Sequence, residues 1–352
     1  MFPTITIDTS ALWLIDHSDT LEGAENALVR ALEWMKPNSV GPLSVYLSSR
    51  SVEAMANANV FPAEPRLTAV LQSVGLEGVV SAKTLAMNLG RFLANSNWIE
   101  NEIGLKDVIF NSIQISPDPT GSIVRPDLKA MSAQSFGLAA LCSKENARHS
   151  LYGFPRQMDS HQETLLNIST DISDFGEEQL RNSETISRNI KVLGLPCDWP
   201  SVLSGHEIWQ RADGPEELEL AIWLHASELE KKIGCGLKPF RVGTQFFECL
   251  AKNGAAGEGP FSFLVLQKCS QTVLNHSSLE PKPFYTSTAE NASVRQRKRD
   301  LARAWRLHVT KSHQALRLMY WEQPSGHIEF ATLEEKVSER IDDGEVLPER
   351  NW

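Results

Sequence analysis

Apolar residues recur along this chain with two periods, and the change from one to the other marks its elements. β-Branched residues at Thr4, Ile5, Thr6 and Ile7 predict a strand over 4–15. Leu21, Ala24, Leu28, Ala31, Leu32 and Met35 share one face of a predicted helix over 20–36, which Pro37 ends. A short strand over 43–47 and a short helix from Ser51 follow. Helices over 64–74 and 82–94 come next, the second with Leu85, Leu89 and Phe92 on one side. A strand over 107–115 is separated by a Pro/Gly/Asp-rich stretch from a helix over 128–142.

Beyond residue 143 the pattern changes. Segments 164–170 and 184–193 alternate like strands, as a β-rich continuation of the first domain or as a bridging layer. Leu218, Ile222, Leu229 and Ile233 stripe a helix over 214–233, with Asp213, Glu216 and Glu217 at its start and Lys231 and Lys232 near its end, as the macrodipole favours. Gly234-Cys-Gly-Leu-Lys-Pro then punctuates the chain. Helices over 243–251 and 261–273 lead to three strands, over 304–310, 316–321 and 327–330. The expected organisation is a mixed α/β domain (1–142), a β-rich bridging segment with a long helix (143–233) and a C-terminal α+β domain (234–352). The fold class is α+β, with C-terminal helices packed on a short antiparallel sheet.

Charge changes this picture. Between Arg295 and Arg317 stand eight Lys or Arg and one Asp, a local +7; the chain as a whole carries −10, which leaves −17 elsewhere. A basic island in an acidic protein is the electrostatic footprint of a polyanion site. No apolar run is long enough for a membrane span, and no basic residue precedes Arg30, so cytoplasm is the expected location and no membrane partner is expected. The cysteines, Cys142, Cys197, Cys235, Cys249 and Cys269, are odd in number and form no C-x-x-C pair, which points to free thiols.

The last three strands suggest how the charge is displayed. Trp305, Leu307 and Val309 alternate with Arg306, His308 and Thr310; Leu316, Leu318 and Tyr320 alternate with Arg317, Met319 and Trp321. One face of such a hairpin serves a core, and the other presents Arg306, His308 and Arg317 together. Arginine forks grip phosphate oxygens, and a histidine moves protons near neutral pH. Arg295, Arg297, Lys298, Arg299, Arg303 and Lys311 then become candidate backbone contacts for RNA, with Tyr320 and Trp321 as stacking surfaces for unpaired bases. The same charges also suit a plain solvated surface, or a face that pairs with an acidic partner or with the chain's own −17 remainder; the acidic N-terminal portion is the expected surface for protein partners, or regulates the C-terminal site.

The helix–helix–three-strand order, with the phrases A-W-R-L-H-V-T-K, L-R-L-M-Y-W and G-H-I-E-F, resembles the C-terminal half of RelE/ParE-type toxins. The resemblance covers about a quarter of the chain. It implies metal-independent RNA cleavage, with Arg306 and Arg317 holding phosphate, His308 carrying a proton and Tyr320 stacking or handling a proton. The chain as a whole is similar to large proteins of bacterial antiviral-defence loci, which implies a toxin-like or assembly role.

Ile5-Thr-Ile-Asp-Thr-Ser-Ala-Leu resembles the opening strand of PIN-like nucleases. That implies Asp8 as the first of a metal-holding carboxylate cluster, with Glu53 and Asp107 as partners; Asp8-Thr-Ser equally suits a turn or cap. The glycine clusters lack phosphate-loop spacing, and no pattern around Cys142, His149 and His161 supports a thiol nucleophile. His206, Trp209, Trp223 and His225 read as helix packing. No cofactor is expected.

Overall fold

Of the strand expected over 4–15, Thr4–Ile7 form one and 10–15 lie outside the described residues; the N-terminal elements are arranged around it. The structure is a computed structural model and describes residues 3–9, 20–36, 43–104, 108–123, 126–149, 151–154, 165–175, 180–233, 236–276, 278–287, 289, 292–310, 315–337 and 340–344. It divides into two compact units, 2–202 and 203–352.

The N-terminal unit runs β1 (Thr4–Ile7), α1 (Leu21–Met35), β2 (Ser44–Leu47), α2 (Ser49–Asn57), α3 (Glu64–Ser73), α4 (Ala82–Asn95), β3 (Asn97–Trp98), α5 (Ile99–Glu102), β4 (Val108–Ser116), α6 (Pro126–Glu145), β5 (Leu151–Gly153), β6 (Leu165–Phe175), β7 (Leu180–Leu193) and α7 (Trp199–Val202). The strand order is β3-β2-β1-β5-β7-β6-β4. Strands β3, β2, β1, β5 and β7 run parallel; β6 and β4 extend the sheet as antiparallel neighbours. All four residues of β1 are buried, so it lies in the interior of a sheet covered on both faces. On one side α1 buries Ala24, Leu28, Ala31 and Trp34. Its N-cap is Thr20, whose hydroxyl accepts from the Gly23 N–H at 3.1 Å. The Trp34 ring lies against Gly153, where a Cβ would come within 2.8 Å of it, and its indole N–H donates to the Gly194 carbonyl at 3.1 Å. On the other side α6 is buried over most of its length, and Phe136 packs on Tyr152 and Phe154.

Of the two readings open for 164–193, this sheet selects continuation. Those strands are β6 and β7, and β7 pairs with β5. The separate 143–233 segment is therefore corrected: its first part belongs to the N-terminal unit, and its long helix to the other.

The C-terminal unit runs α8 (Gly205–Arg211), α9 (Pro215–Ile233), β8 (Phe240–Val242), α10 (Thr244–Lys252), α11 (Ser262–Val273), β9 (Lys282–Pro283), β10 (Arg303–His308), β11 (Leu316–Glu322) and β12 (Ile328–Glu335). Its sheet has the order β8-β12-β11-β10-β9, antiparallel except for β8, which joins β12 in parallel. Gly205 lets α8 approach α9 closely: a Cβ there would meet the Ala221 carbonyl at 2.5 Å. Trp209 is buried and donates to the Ala255 carbonyl at 2.9 Å, while His206 and His225 edge onto Phe263, which is the helix packing read from the sequence. The fold is α+β, as the patterns indicated. Among the described residues no helix is long and apolar enough to cross a membrane.

Candidate nucleic-acid interface

The register of the C-terminal sheet decides which side chains share a face. His308 stands opposite Arg317, Arg306 opposite Met319 and Ala304 opposite Trp321. These six residues therefore lie on one side. Trp305, Leu307, Leu318 and Tyr320 lie on the other, where Tyr320 and the α10 residue Phe246 both meet the Phe330 ring.

The first side is itself divided. Near one end Ala304, Met319, Trp321 and Ala331 form an apolar cluster with Phe284, Ala302 and Ile341. At the other end Arg306 and His308 are half-buried, and the β9 residue Lys282 pairs with Arg306 across the sheet edge. The Arg306 guanidinium lies 5.9 Å over the Phe284 ring. Arg317 faces Glu334 across the β11–β12 pair, and Glu334 in turn takes Lys252 at 3.6 Å. Partial burial, and then the charges of Arg317, Lys282, Lys336 and Arg306, hold the His308 imidazole below its ordinary pKa. Near neutral pH it is therefore mostly uncharged, with Arg317 opposite it and Arg306 two positions away on the same face. Among the described residues Arg306, Lys282 and Lys336 enter no ion pair.

The basic run takes a different part. Arg297 is buried and pairs with Asp300 at 2.6 Å and Glu329 at 2.8 Å; its guanidinium also donates to the Asp343 carbonyl and lies 5.1 Å over the Trp321 ring. Arg299 donates to the Gly344 carbonyl at 2.7 Å and stands 3.8 Å from Glu329. Arg295 stands 3.9 Å from Asp343. These arginines fasten 341–344 across the sheet, and the Trp321 indole N–H joins them at the Asp342 carbonyl. Arg297 is thus corrected from an RNA contact to a structural cation. Lys298 and Arg303 are exposed, and Lys311 lies outside the described residues.

Two aromatic assignments are corrected as well. Tyr320 is 5% exposed and Trp321 0%, so neither ring offers a stacking surface. Tyr320 points into the helix-facing core, on the side away from His308, which removes it as a proton carrier for this face; burial also pushes its hydroxyl pKa well up. The cause is coverage: a hairpin with one solvated face was expected, but Phe284, Ala302 and residues 341–344 cover part of the second face. Lys282 and Lys336 escaped the sequence reading. The third strand is expected over 327–330, whereas β12 continues to Glu335 and sets Lys336 just beyond it, its N–H on the Ala315 carbonyl.

At the carboxyl end of β1, Asp8 is fully buried and shifts the Tyr152 hydroxyl, while Glu53 is exposed and Asp107 lies outside the described residues. Among the described residues no three His, Cys, Asp or Glu side chains gather to hold a metal ion. The acid that does organise this edge is Glu100. It accepts from the Ser48 hydroxyl at 2.6 Å and from the N–H groups of Ser49 and Arg50 at 3.1 and 3.3 Å, and so closes the α2 N-terminus. Cys142 is buried with its thiol pKa raised. Burial and the neighbouring Arg148 charge lower His149 to about 4, and it bonds to the Thr4 hydroxyl at 2.6 Å, so no thiolate pair exists there. Cys249 and Cys269 are buried free thiols and Cys197 an exposed one; Cys235 and His161 lie outside the described residues. Compared with known proteins, the chain matches no family model, no curated protein and no solved structure.

Proposed function

We propose that the C-terminal unit binds single-stranded nucleic acid, RNA in the first instance, through the uncovered half of its sheet. The observation that supports this is the face shared by Arg306, His308 and Arg317, with Lys282 beside Arg306 at the sheet edge and Lys336 just beyond the end of β12, in a chain of net charge −10. Lys282, Arg306 and Lys336 enter no ion pair among the described residues, and a phosphate strand would neutralise them. Arg306, fixed over Phe284, keeps its fork presented to the phosphate oxygens. α10 and α11 are followed, after the two-residue β9, by β10, β11 and β12, with Arg306, His308 and Arg317 on one face, and this supports the same reading.

Cleavage is the second reading. A neutral His308 suits the abstraction of a ribose 2′-proton, and the arginines suit the charge that develops on phosphorus. With Tyr320 in the core, this face offers the leaving oxygen no tyrosine proton, so binding is the activity the geometry supports best. The N-terminal unit then docks or regulates, within a toxin-like or defence assembly.

The test is fluorescence anisotropy with a short labelled RNA. Arg306→Glu and Lys282→Glu are each expected to weaken binding about tenfold or more, while Lys298→Glu, outside the cluster, changes it little. Equal losses from all three substitutions, or none, would sink the site. A bound phosphate also raises the His308 pKa, so binding near pH 7 is expected to take up protons, read as a buffer-dependent binding enthalpy that His308→Gln removes.

A further inference from the structure

A cavity of about 210 Å³ opens in the N-terminal unit between α2, the first residues of β4, and α6. We propose that it binds a small organic acid, one carboxylate on a body about the size of a single ring. The inference is independent of the nucleic-acid reading, which concerns the other unit.

Three observations converge on it. The first is position. The chain leaves β1 towards β2 on one side and later returns to β5 on the other, so the strand order reverses at β1, and the cavity-lining Ser48 and Ser51 follow directly from β2. In open parallel sheets, ligands sit outside the carboxyl ends of the strands near such a reversal; here the α2 side of the cavity has that position, beside β1, and the first residues of β4 and α6 close it. The second is polarity where packing alone would favour apolar groups. Ser51 and Ser135, 6% and 3% exposed, face each other with their hydroxyls 2.7 Å apart on the cavity wall. Behind them the fully buried Tyr152 hydroxyl is perturbed by Asp8 and Ser135. Burying such a run of hydroxyls and a carboxylate costs stability that leucines would not, which marks the position as kept for something besides packing.

The third is the chemistry of the lining. Glu100 already takes the α2 N–H groups, so the helix end is not the anion site. Arg50 is the cation of the lining, and one guanidinium nitrogen is anchored on the Val108 carbonyl at 2.6 Å. Its other donors remain for a carboxylate. Phe110 and Met131 supply an apolar wall. An apolar cavity of about 150 Å³ takes a benzene ring, so the larger volume here accommodates a ring and its acid group.

Benzoate titrated calorimetrically into the full chain is the probe, with benzyl alcohol as its uncharged counterpart. Benzoate is expected to bind saturably. Arg50→Gln should weaken it about tenfold or more while leaving benzyl alcohol unchanged, and Arg50→Lys should recover part of the loss. Ala54→Phe, which fills the cavity, should abolish both. If Arg50→Gln melts early, Ser135→Ala carries the same comparison with a milder loss. No saturable benzoate binding, or equal affinity in the wild type and in a folded Arg50→Gln or Ser135→Ala variant, would overturn the proposal.

Discussion

Arg297→Ala is expected to destabilise the C-terminal unit by about 3–5 kcal/mol, the cost of leaving a buried carboxylate without its closest cation. Arg297 and Glu329 have side chains 3% and 8% exposed, so the pair is not discounted by solvent. The substitution also releases Asp300, the Asp343 carbonyl and the face of Trp321. Chemical denaturation would read the loss as a lower midpoint. Its pH dependence has a definite sign. Burial already holds Glu329 above its ordinary range, and Arg297 opposes that shift. Without Arg297 the folded-state pKa rises further, so the variant gains stability relative to its unfolded chain as pH falls and Glu329 takes up a proton. The deficit should therefore shrink towards about pH 5. Asp300 behaves oppositely in the wild type. The Arg297 bond lowers its pKa from 3.8, so that contribution is full above this value and fades as pH falls through the folded one.

Trp34→Ala should cost the N-terminal unit about 3–5 kcal/mol, the range for emptying a buried large aromatic site. Trp34 is 1% exposed, rests on the Cβ-free surface of Gly153 and satisfies the Gly194 carbonyl. The backbone of β5 and β7 cannot collapse into the space it leaves, because those strands are fixed by their neighbours in the sheet. Thermal unfolding should show a lower midpoint for this unit, and Trp34→Phe, which keeps most of the ring volume, should recover much of it.

Much of this fold was legible because its elements carry clean periods. Ala24 and Leu28 face the core of α1, and Arg306 and His308 fall on one face of β10, as alternation required. What escaped was decided by contacts between distant segments. β8 is three residues long and becomes a strand only because β12 offers it a parallel edge. β5 is likewise three residues, wedged between β1 and β7. No period can be read from so few positions. Alternation alone leaves open whether 164–193 continues the first domain, because antiparallel β6 and β7 alternate alike in either case, and only the pairing of β7 with β5 shows where they belong.

The site was half legible for the same reason. Alternation put Arg306, His308 and Arg317 together, but it is blind to what lies over a face. Trp321 alternates as an outward residue and is buried by Phe284 and Ile341. The basic run looked like a charge display, yet Arg297 and Arg299 spend their forks on Glu329, Asp300 and backbone carbonyls near the end of the chain. Asp300 was the one nearby acid visible in the local sequence. Glu329, which lies in the third strand, was not counted against the run.

The central claim is that the cations around His308, and not the basic run beside them, hold a sugar-phosphate strand. The most direct measurement is the salt dependence of RNA affinity for the wild type and for Arg306→Gln/Lys336→Gln. Each phosphate contact removed from a single strand should lower the slope of log affinity against log salt by about 0.7, so the double variant is expected to be flatter by about 1.4. A slope unchanged from the wild type, with RNA still bound, would contradict the account.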